Sequence, residues 1–455
     1  MAGIGFELKN ILKKGRLTSL ILAVGYSTAL SSGPWIISIL AIIISAFLIY
    51  PFVKEKNIIM QFHISITYTI AISLIISSPF QLLFTRYVAD RHFEKKFEKI
   101  LSNFLGVTSL SMIIGLVLSS FIASFFKDTD SLYKIFFVST ITILCGFWIA
   151  TTLLTSFKSY RYIFISFFLG YGIVLGLIPF VSKYSISGLM FCFFIGQSVI
   201  FLMLMGRIIY EHPSNRGIEF EFLDKRYAYP SLAFIGLFYN AGIWIDKFIF
   251  WFSPLTGKQV LGPLRASVVY DIPIFLAYLA IAPGMGIFFL KLEGEFAEDY
   301  EKYYRAVTGR DSLFKIYTMA LDMITSARTI ILDVLRVQGI ASIAIFLFEE
   351  SLFHIFKLSL LYIPLFNVLL TGTFVQLVLL SILGLLFYYD LRIYALYVTL
   401  LFFVLNATLS YISIDLGPYF YGYGYTISLI FSSVLGIALL RRFLHEIHYR
   451  TYMLQ

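Results

Sequence analysis

Stretches of about twenty consecutive apolar residues recur along the whole of this 455-residue chain. A helix rises about 1.5 Å per residue, so each stretch is long enough to cross the hydrocarbon core of a bilayer. Only 13% of the residues are charged, whereas a soluble protein has about 25%, so the chain lacks the charged groups that would cover a soluble surface. The short alternating segments typical of a membrane β-barrel do not occur. The sequence therefore predicts an all-α membrane protein.

Windows of about 19–25 apolar residues predict about twelve transmembrane helices, six in each half of the chain. They lie near 18–49, 59–86, 100–126, 132–157, 161–181, 186–209, 227–252, 266–290, 330–350, 367–388, 393–413 and 421–440. Asp333, Arg336 and Gln338 interrupt the start of the ninth, so its membrane portion is expected to begin near Gly339.

Basic residues fall unequally on the two sides that these helices define. An even number of spans puts both termini on one side, and most of the 35 lysine and arginine residues lie there. Cytoplasmic loops carry an excess of such residues. We therefore predict a multi-pass protein of the cytoplasmic (inner) membrane with both termini in the cytoplasm, and we assign the net charge of +9 to orientation in the bilayer rather than to nucleic-acid binding.

Two polar segments are expected on the cytoplasmic side. Residues 1–14 place Ile4, Leu8 and Ile11 at helical spacing, which predicts an amphipathic helix along the inner membrane surface. Residues 291–336 form the longest polar part of the chain and mix charged residues with Leu and Ile at three- and four-residue spacing. This segment is too short for a separate enzyme domain, so we expect cytoplasmic helices.

The two halves of the chain resemble each other weakly. Gly33-Pro34-Trp35 in the first helix corresponds to Gly242-Ile243-Trp244 in the seventh, 209 positions later (242 − 33). Pro79 in the second helix corresponds to Pro283 in the eighth, 204 positions later (283 − 79). Parallel repeats of this kind are related by an axis along the membrane normal. The sequence thus predicts two six-helix lobes around a central cavity: 1–209 (interfacial helix and helices one to six), a cytoplasmic linker 210–226, and 227–455 (helices seven to twelve with the segment 291–336).

Asp246 and Lys247 are the strongest candidates for a transport path. A charge inside a bilayer costs roughly 2.5–3.5 kcal/mol on insertion scales, so it normally faces protein or water. Asp246 precedes Phe252 by six residues, roughly 9 Å from the helix end. Alternatively, Lys247 extends outward and Asp246 pairs with it or caps a neighbour, although consecutive side chains diverge by about 100°. Asn240, two turns before Lys247, is the third candidate.

Asp271, Glu349 and Glu350 lie near the predicted outer ends of helices eight and nine, with Arg265 close in sequence. They are candidates for an acidic exit that would suit a basic substrate. They are also compatible with ordinary solvated helix ends, so the sequence leaves both interpretations open.

No motif predicts catalysis. Asp128-Thr129-Asp130 has the pattern that some glycosyltransferases use for a metal and a nucleotide, but it falls in an outer loop where nucleotide sugars are not available. His445-Glu446-Ile447-His448 lacks the spacing of a zinc HExxH motif. No P-loop, nucleophile elbow or dinucleotide fingerprint occurs. We therefore predict no catalytic, metal or cofactor site, and energy from a gradient, a partner or polymer synthesis.

Four segments resemble the PelG family of exopolysaccharide-export membrane proteins. They are residues 1–8 (MAGIGFEL), 32–35 (SGPW), 85–91 (TRYVADR) and 239–248 (YNAGIWIDKF). The first and last are specific and SGPW is moderately so, and together they span both halves.

The resemblance implies the fold of the multidrug/oligosaccharidyl-lipid/polysaccharide exporter superfamily, with alternating access. It implies work with a cytoplasmic Pel-type glycosyltransferase and other Pel membrane proteins, to export a partly deacetylated, hexosamine-rich polysaccharide. It implies no catalytic residues and carries over no substrate-binding residues. The alternatives are a gradient-driven exporter or flippase of lipid-linked oligosaccharide or small cationic substrates, a membrane-embedded glycosyltransferase, and a scaffold for the synthase complex.

Overall fold

The computed structural model describes residues 17–52, 57–127, 129–181, 185–309 and 311–453. The predicted amphipathic segment 1–14 lies outside them. The first helices are α1 Leu17–Ser31, α2 Gly33–Ile49, α3 Asn57–Phe93, α4 Glu98–Ala123, α5 Ser131–Ser156, α6 Tyr160–Val181, α7 Ile186–Glu211 and α8 Pro230–Phe252. A hairpin of β1 Lys258–Leu261 and β2 Leu264–Ala266 follows. The remaining helices are α9 Val268–Leu279, α10 Ala282–Leu290, α11 Ala297–Thr308, α12 Leu313–Ile355, α13 Ile363–Tyr388, α14 Arg392–Leu416, α15 Tyr423–His445 and α16 Ile447–Met453.

Within the described ranges, 11 stretches of helix are long and apolar enough to cross a membrane, and the bent pair α1–α2 brings the number to 12. The predicted all-α membrane protein of about twelve spans is therefore confirmed. The boundaries differ where the predicted spans contain breaks or continue into the polar segments.

Two predicted spans are each divided into two helices. The first is interrupted at Ser32, directly before Gly33 and Pro34, and the eighth is interrupted at Ala280 and Ile281, just before Pro283. Proline has no N–H to donate to the carbonyl four residues earlier, but it is tolerated in the first turn of a new helix. The breaks therefore fall where a proline opens the second helix of each pair.

A side chain from α12 bridges the break between α9 and α10. The amide nitrogen of Gln338 donates to the carbonyl of Ala280 at 2.9 Å, and its oxygen accepts from the backbone N–H of Gly284 at 3.1 Å. Backbone groups inside a bilayer have no water to bind, so a broken helix needs such partners. Gln338, which is fully buried, thus supplies one donor and one acceptor to the interrupted span.

The ninth predicted span lies within a longer helix that begins at Leu313, and a membrane portion that starts near Gly339 stays a prediction. α12 is a single helix of 43 residues that continues through Asp333, Arg336 and Gln338. Asp333 pairs with Arg336 at 3.1 Å and with Lys291 at 3.3 Å, so these charges neutralise one another beside the helix. The predicted ninth span and part of the segment 291–336 are therefore one element.

The chain forms two compact units. One contains α1 together with α9 to α16, and the other contains α2 to α8 with the hairpin; the chain passes between them at Gly33–Pro34 and at Ser267–Val268. These units do not follow the limits at 209 and 227 expected from the sequence, because α1 and α8 belong with the helices of the opposite half. The lobes 1–209 and 227–455 stay a prediction about the repeat.

Close backbone contacts explain where α1 and α8 pack. A Cβ atom on Gly236 of α8 would lie 2.2 Å from the carbonyl oxygen of Ser78 in α3, so only glycine allows this approach. In the other unit, the hydroxyl of Ser27 in α1 donates to the carbonyl of Gly286 in α10 at 2.8 Å. Gly236 follows Ser27 by 209 positions (236 − 27), the same offset as between the Gly-x-Trp segments. In one unit the seventh predicted span (α8) packs against the second (α3), and in the other the first (α1) packs against the eighth (α10). The two pairs occupy corresponding positions in the predicted repeat.

Candidate functional site

Asp246 and Lys247 form an ion pair inside the unit of α2 to α8. The Lys247 Nζ atom lies 3.3 Å from each carboxylate oxygen of Asp246. The two residues are 0% and 4% exposed, so both are covered by protein. Lys247 therefore does not extend outward, whereas the pairing of Asp246 with Lys247 that the same alternative predicted is observed.

The geometry of α8 brings these consecutive side chains together. Side chains on a helix lean toward its N-terminus, and the Lys247 stem runs back far enough for Nζ to donate to the Ile243 carbonyl at 2.8 Å. Nζ also lies 5.7 Å from the centre of the Trp244 ring, within cation–π range. The long lysine stem therefore compensates for the angle of about 100° between neighbouring positions.

Asn240 lies on the same face of α8 as Lys247, since seven residues make about two turns. Its side-chain amide donates to the Gly236 carbonyl at 3.1 Å, and the residue is half-buried. Asn240, Ile243 and Lys247 thus form one column, with the Asp246 backbone about 120° around the helix from Asn240. Whether this column meets a substrate stays a prediction.

The three predicted acidic residues lie in the other unit. Asp271 is half-buried in the first turn of α9. Glu349 on α12 accepts a hydrogen bond at 3.3 Å from the side-chain amide of Asn367 on α13, and Glu350 is exposed. An acidic exit formed by these residues stays a prediction.

Arg265, which the sequence placed near these acids, has a different environment. It lies in β2 and donates to the backbone carbonyls of Trp251 at 3.0 Å and Gly257 at 2.8 Å. Its own carbonyl accepts from the Tyr68 hydroxyl at 2.9 Å. Arg265 therefore fixes the hairpin against the end of α8 and against α3.

A buried arginine at the end of α3 was missed by the sequence analysis. Arg91 is 0% exposed although it lies in a predicted cytoplasmic loop. Its guanidinium lies 4.1 Å from the centre of the Tyr227 ring and 5.3 Å from that of Tyr87, and it donates to Glu94 at 2.9 Å. Tyr87, one helical turn before Arg91, is a sequence feature that could have indicated burial, since arginine stacks on aromatic faces.

The predicted linker 210–226 packs against the same region through two glutamates. Glu221 accepts from Lys99 at 2.6 Å and from the Tyr87 hydroxyl at 3.1 Å. Desolvation opposes ionisation, but these hydrogen bonds prevail and lower the pKa of Glu221. The Glu219 carbonyl lies so close to Gly106 that a Cβ there would be 2.0 Å away. The segment is therefore a packed part of its unit, and Gly106 makes this possible.

The motif at Asp128-Thr129-Asp130 contributes to helix packing. Asp128 lies outside the described residues. Asp130 caps α5 by accepting from the Leu132 N–H at 3.3 Å, and it accepts from the Ser187 hydroxyl at 2.7 Å. Across the ranges that the structure covers, no three His, Cys, Asp or Glu side chains group closely enough to hold a metal ion.

The family model described as "PelG: Putative exopolysaccharide Exporter (EPS-E)" matches residues 1–452. The chain belongs to the PelG family. The resemblance seen in the four sequence segments is thus confirmed, and it extends over nearly the whole chain. No curated protein matches this PelG-family chain.

Solved structures with a similar fold are transporters of the MOP superfamily. An outward-facing multidrug resistance MATE family transporter aligns with a TM-score of 0.64 at 14% identity, over 93% of this chain and 96% of its own. A MOP superfamily transporter from Pyrococcus furiosus, described as having a binding pocket of reverse polarity, gives 0.59 at 14% identity, over 93% and 96%. An inward-facing MATE transporter gives 0.53 at 14% identity, over 93% and 95%. The PelG-family chain therefore has a MATE-like transporter fold.

Proposed function

We propose that this PelG-family chain exports a hexosamine-rich exopolysaccharide across the cytoplasmic membrane, in concert with a cytoplasmic glycosyltransferase and other Pel membrane proteins. The observation that carries the proposal is the family match over residues 1–452 on a transporter fold. The sequence has no nucleotide-binding motif, so the driving energy comes from a gradient, a partner or growth of the polymer.

Asp246 is the residue that we expect to meet the polymer. A deacetylated hexosamine carries an ammonium group, which is the same chemical group that Lys247 presents to Asp246 at 3.3 Å. In this proposal the transport cycle exposes the carboxylate, which is covered in this structure. Ammonium groups on the passing chain then compete with Lys247 for it, and each is released when Lys247 returns. A carboxylate with a resident cation thus binds each sugar weakly enough for transport. Asn240, Asp271, Glu349 and Glu350 are further candidates along the path.

We propose two docking surfaces for the glycosyltransferase, one in each unit. The first is the turn between α3 and α4, where Lys95 is exposed and Lys96 pairs with Glu94 at 2.9 Å. The second is the segment 291–336, where the Arg305 side chain is 76% exposed. Both are on the predicted cytoplasmic side, where activated sugars are made.

Charge reversal tests the two surfaces separately. Lys95→Glu with Lys96→Glu, and Arg305→Glu alone, should each reduce co-purification of the glycosyltransferase several-fold while the exporter stays folded. Lys258→Glu, exposed on β1 and predicted to face outward, is the matched control. Unchanged co-purification in both variants would exclude these surfaces.

Deletion of the gene in a polymer-producing cell tests the proposed function. We expect the polymer to disappear from the medium while the glycosyltransferase is still made, and a plasmid copy of the gene should restore secretion. Polymer in the medium, in the isolated membrane and in the cytoplasm would be quantified with a hexosamine-specific assay. Normal secretion by the deletion strain would refute the proposal.

A gradient-driven exporter or flippase of small cationic or lipid-linked substrates is the second candidate. The observation that favours it is the similarity to multidrug transporters over 93% of the chain. Purified protein in liposomes, with a cationic dye and an imposed ion gradient, distinguishes the two functions. Dye transport without any glycosyltransferase would favour this candidate.

A further inference from the structure

An acid–amide pair joins α12 to α13, and its acid is Glu349, one of the candidates for the proposed transport path. The side-chain amide of Asn367 donates to Glu349 Oε1 at 3.3 Å. The other oxygens of the two groups, Glu349 Oε2 and Asn367 Oδ1, are both buried, and neither has a hydrogen-bond partner among the described residues. The pair therefore makes one hydrogen bond and leaves two acceptors without a donor.

One proton would satisfy both oxygens. An ionised carboxylate can only accept hydrogen bonds, whereas a protonated one also donates. With a proton on Oε2, Glu349 can donate to Asn367 Oδ1 while Asn367 continues to donate to Oε1, which closes a ring of two hydrogen bonds. Buried polar atoms without partners are costly. In the protonated form each of these two oxygens takes part in a hydrogen bond.

Few charged side chains surround Glu349 that could pair with its carboxyl group instead of a proton. Glu349 precedes the end of α12 by six residues, roughly 9 Å along the axis. The helices α10 and α13, which pack against α12 in this unit, contain no charged residue. The polar segments beside α12 meet its first half, where Asp299 contacts Ser326 and Lys291 contacts Asp333. The titratable groups near Glu349 on its own helix are Glu350, which is exposed, and His354.

A metal ion does not fit the pair. Hard metal ions such as calcium or magnesium take about six or more oxygen ligands, and this pair offers two orphaned side-chain oxygens. No group of three potential metal-ligating side chains occurs in the part of the chain that the structure covers. A proton needs only the two oxygens that are present.

We propose that Glu349 and Asn367 form a proton-binding site between α12 and α13. Loss of the proton removes one of two hydrogen bonds between these helices, so the site changes how firmly they are joined. If the chain exports polymer as proposed above, the site is where a proton gradient can act on the helices of this unit; this last step rests on the proposed function.

Infrared difference spectra of the purified full-length protein, recorded between alkaline and acidic buffer, test the site directly. We expect a carbonyl band from a protonated carboxylic acid that Glu349→Gln abolishes and that Glu350→Gln, the adjacent exposed control, leaves in place. Asn367→Leu should shift the band, because the partner of the new O–H is lost. Glu349→Gln keeps a donor for Asn367, so this variant should fold and melt at or above the wild-type temperature.

Three outcomes overturn the proposal or its functional step. A band that survives in Glu349→Gln, or that Glu350→Gln removes equally, refutes the site. A band that responds to sodium at constant pH refutes the assignment to a proton. Loss of the band together with wild-type export by Glu349→Gln cells confirms the site and refutes its link to transport. Normal secretion by the deletion strain would refute the proposed function and leave the proton site standing.

Discussion

Asp246 and Lys247 depend on each other because they are buried together. Taking two charges out of water costs several kcal/mol per ion, and only close pairing with additional hydrogen bonds offsets this cost. Here the ammonium contacts both carboxylate oxygens and the Ile243 carbonyl. Removing one partner leaves the other charge buried, whereas removing both does not. This difference separates a role in transport from a role in folding.

We predict that Asp246→Asn alone destabilises the protein by about 3–5 kcal/mol, since the Lys247 ammonium loses its counter-ion. The double variant Asp246→Asn with Lys247→Met removes both charges and should return the protein to near wild-type levels in the membrane. Size-exclusion chromatography of the solubilised protein measures the amount that is folded. If the carboxylate meets the polymer, secretion by the double variant stays several-fold reduced.

The control for this pair is Asp415→Asn, which removes an exposed carboxylate near the end of α14 and should change neither property. Wild-type secretion by the double variant would assign Asp246 and Lys247 to folding alone.

At the scale of the elements, prolines were an ambiguous signal in the sequence. Pro79 and Pro179 lie inside continuous helices, whereas Pro34 and Pro283 open a second helix after a break. Local sequence does not separate these outcomes, because a break inside a bilayer also needs partners for the freed backbone groups. At the eighth span that partner is Gln338, which lies 58 residues from Ala280.

Gln338→Met keeps a similar length and removes both hydrogen bonds to the break. We expect it to lower the free energy of unfolding by about 2–6 kcal/mol, because a buried carbonyl and a buried N–H each lose a partner at roughly 1–3 kcal/mol. Thermal unfolding in detergent measures the loss. Gln259→Met removes a hydrogen bond to the Gly262 carbonyl at an exposed position of β1, where water can replace it, so the melting temperature should stay within error. Equal melting of both variants would show that the break does not depend on Gln338.

At the scale of the whole molecule, the orientation in the membrane is a prediction from the basic residues of the loops. We predict that cysteines at Ser131 and Ser253 react with an impermeant reagent added outside intact cells and that a cysteine at Ser214 does not. The native Cys145 and Cys192 are buried, so the background should be low. Labelling of Ser214→Cys in intact cells would show that the predicted orientation is wrong.

The sequence predicted the class and the number of spans because hydropathy reports burial in a bilayer directly. It also selected Asp246 and Lys247, since charges inside a span are conspicuous. It did not predict that α1 and α8 pack with the opposite halves, because that depends on close contacts such as Gly236 against Ser78. Glu221 was missed because a charged residue in a loop is indistinguishable from a solvated one until its partners are known. For Arg91 the nearby Tyr87 was a signal, but Tyr227, the ring closest to its guanidinium, is distant in sequence.

The contact of Ser27 with Gly286 has a consequence for synthesis of the protein. The two residues are 259 positions apart, and the ribosome makes a chain from its N-terminus. α1 is therefore released long before the helix that receives it exists, and Gln338 emerges later than the break that it bridges. The unit that contains α1 and α9 to α16 can close only when translation is nearly complete, so the newly made first helix has to wait in the membrane without its final neighbour.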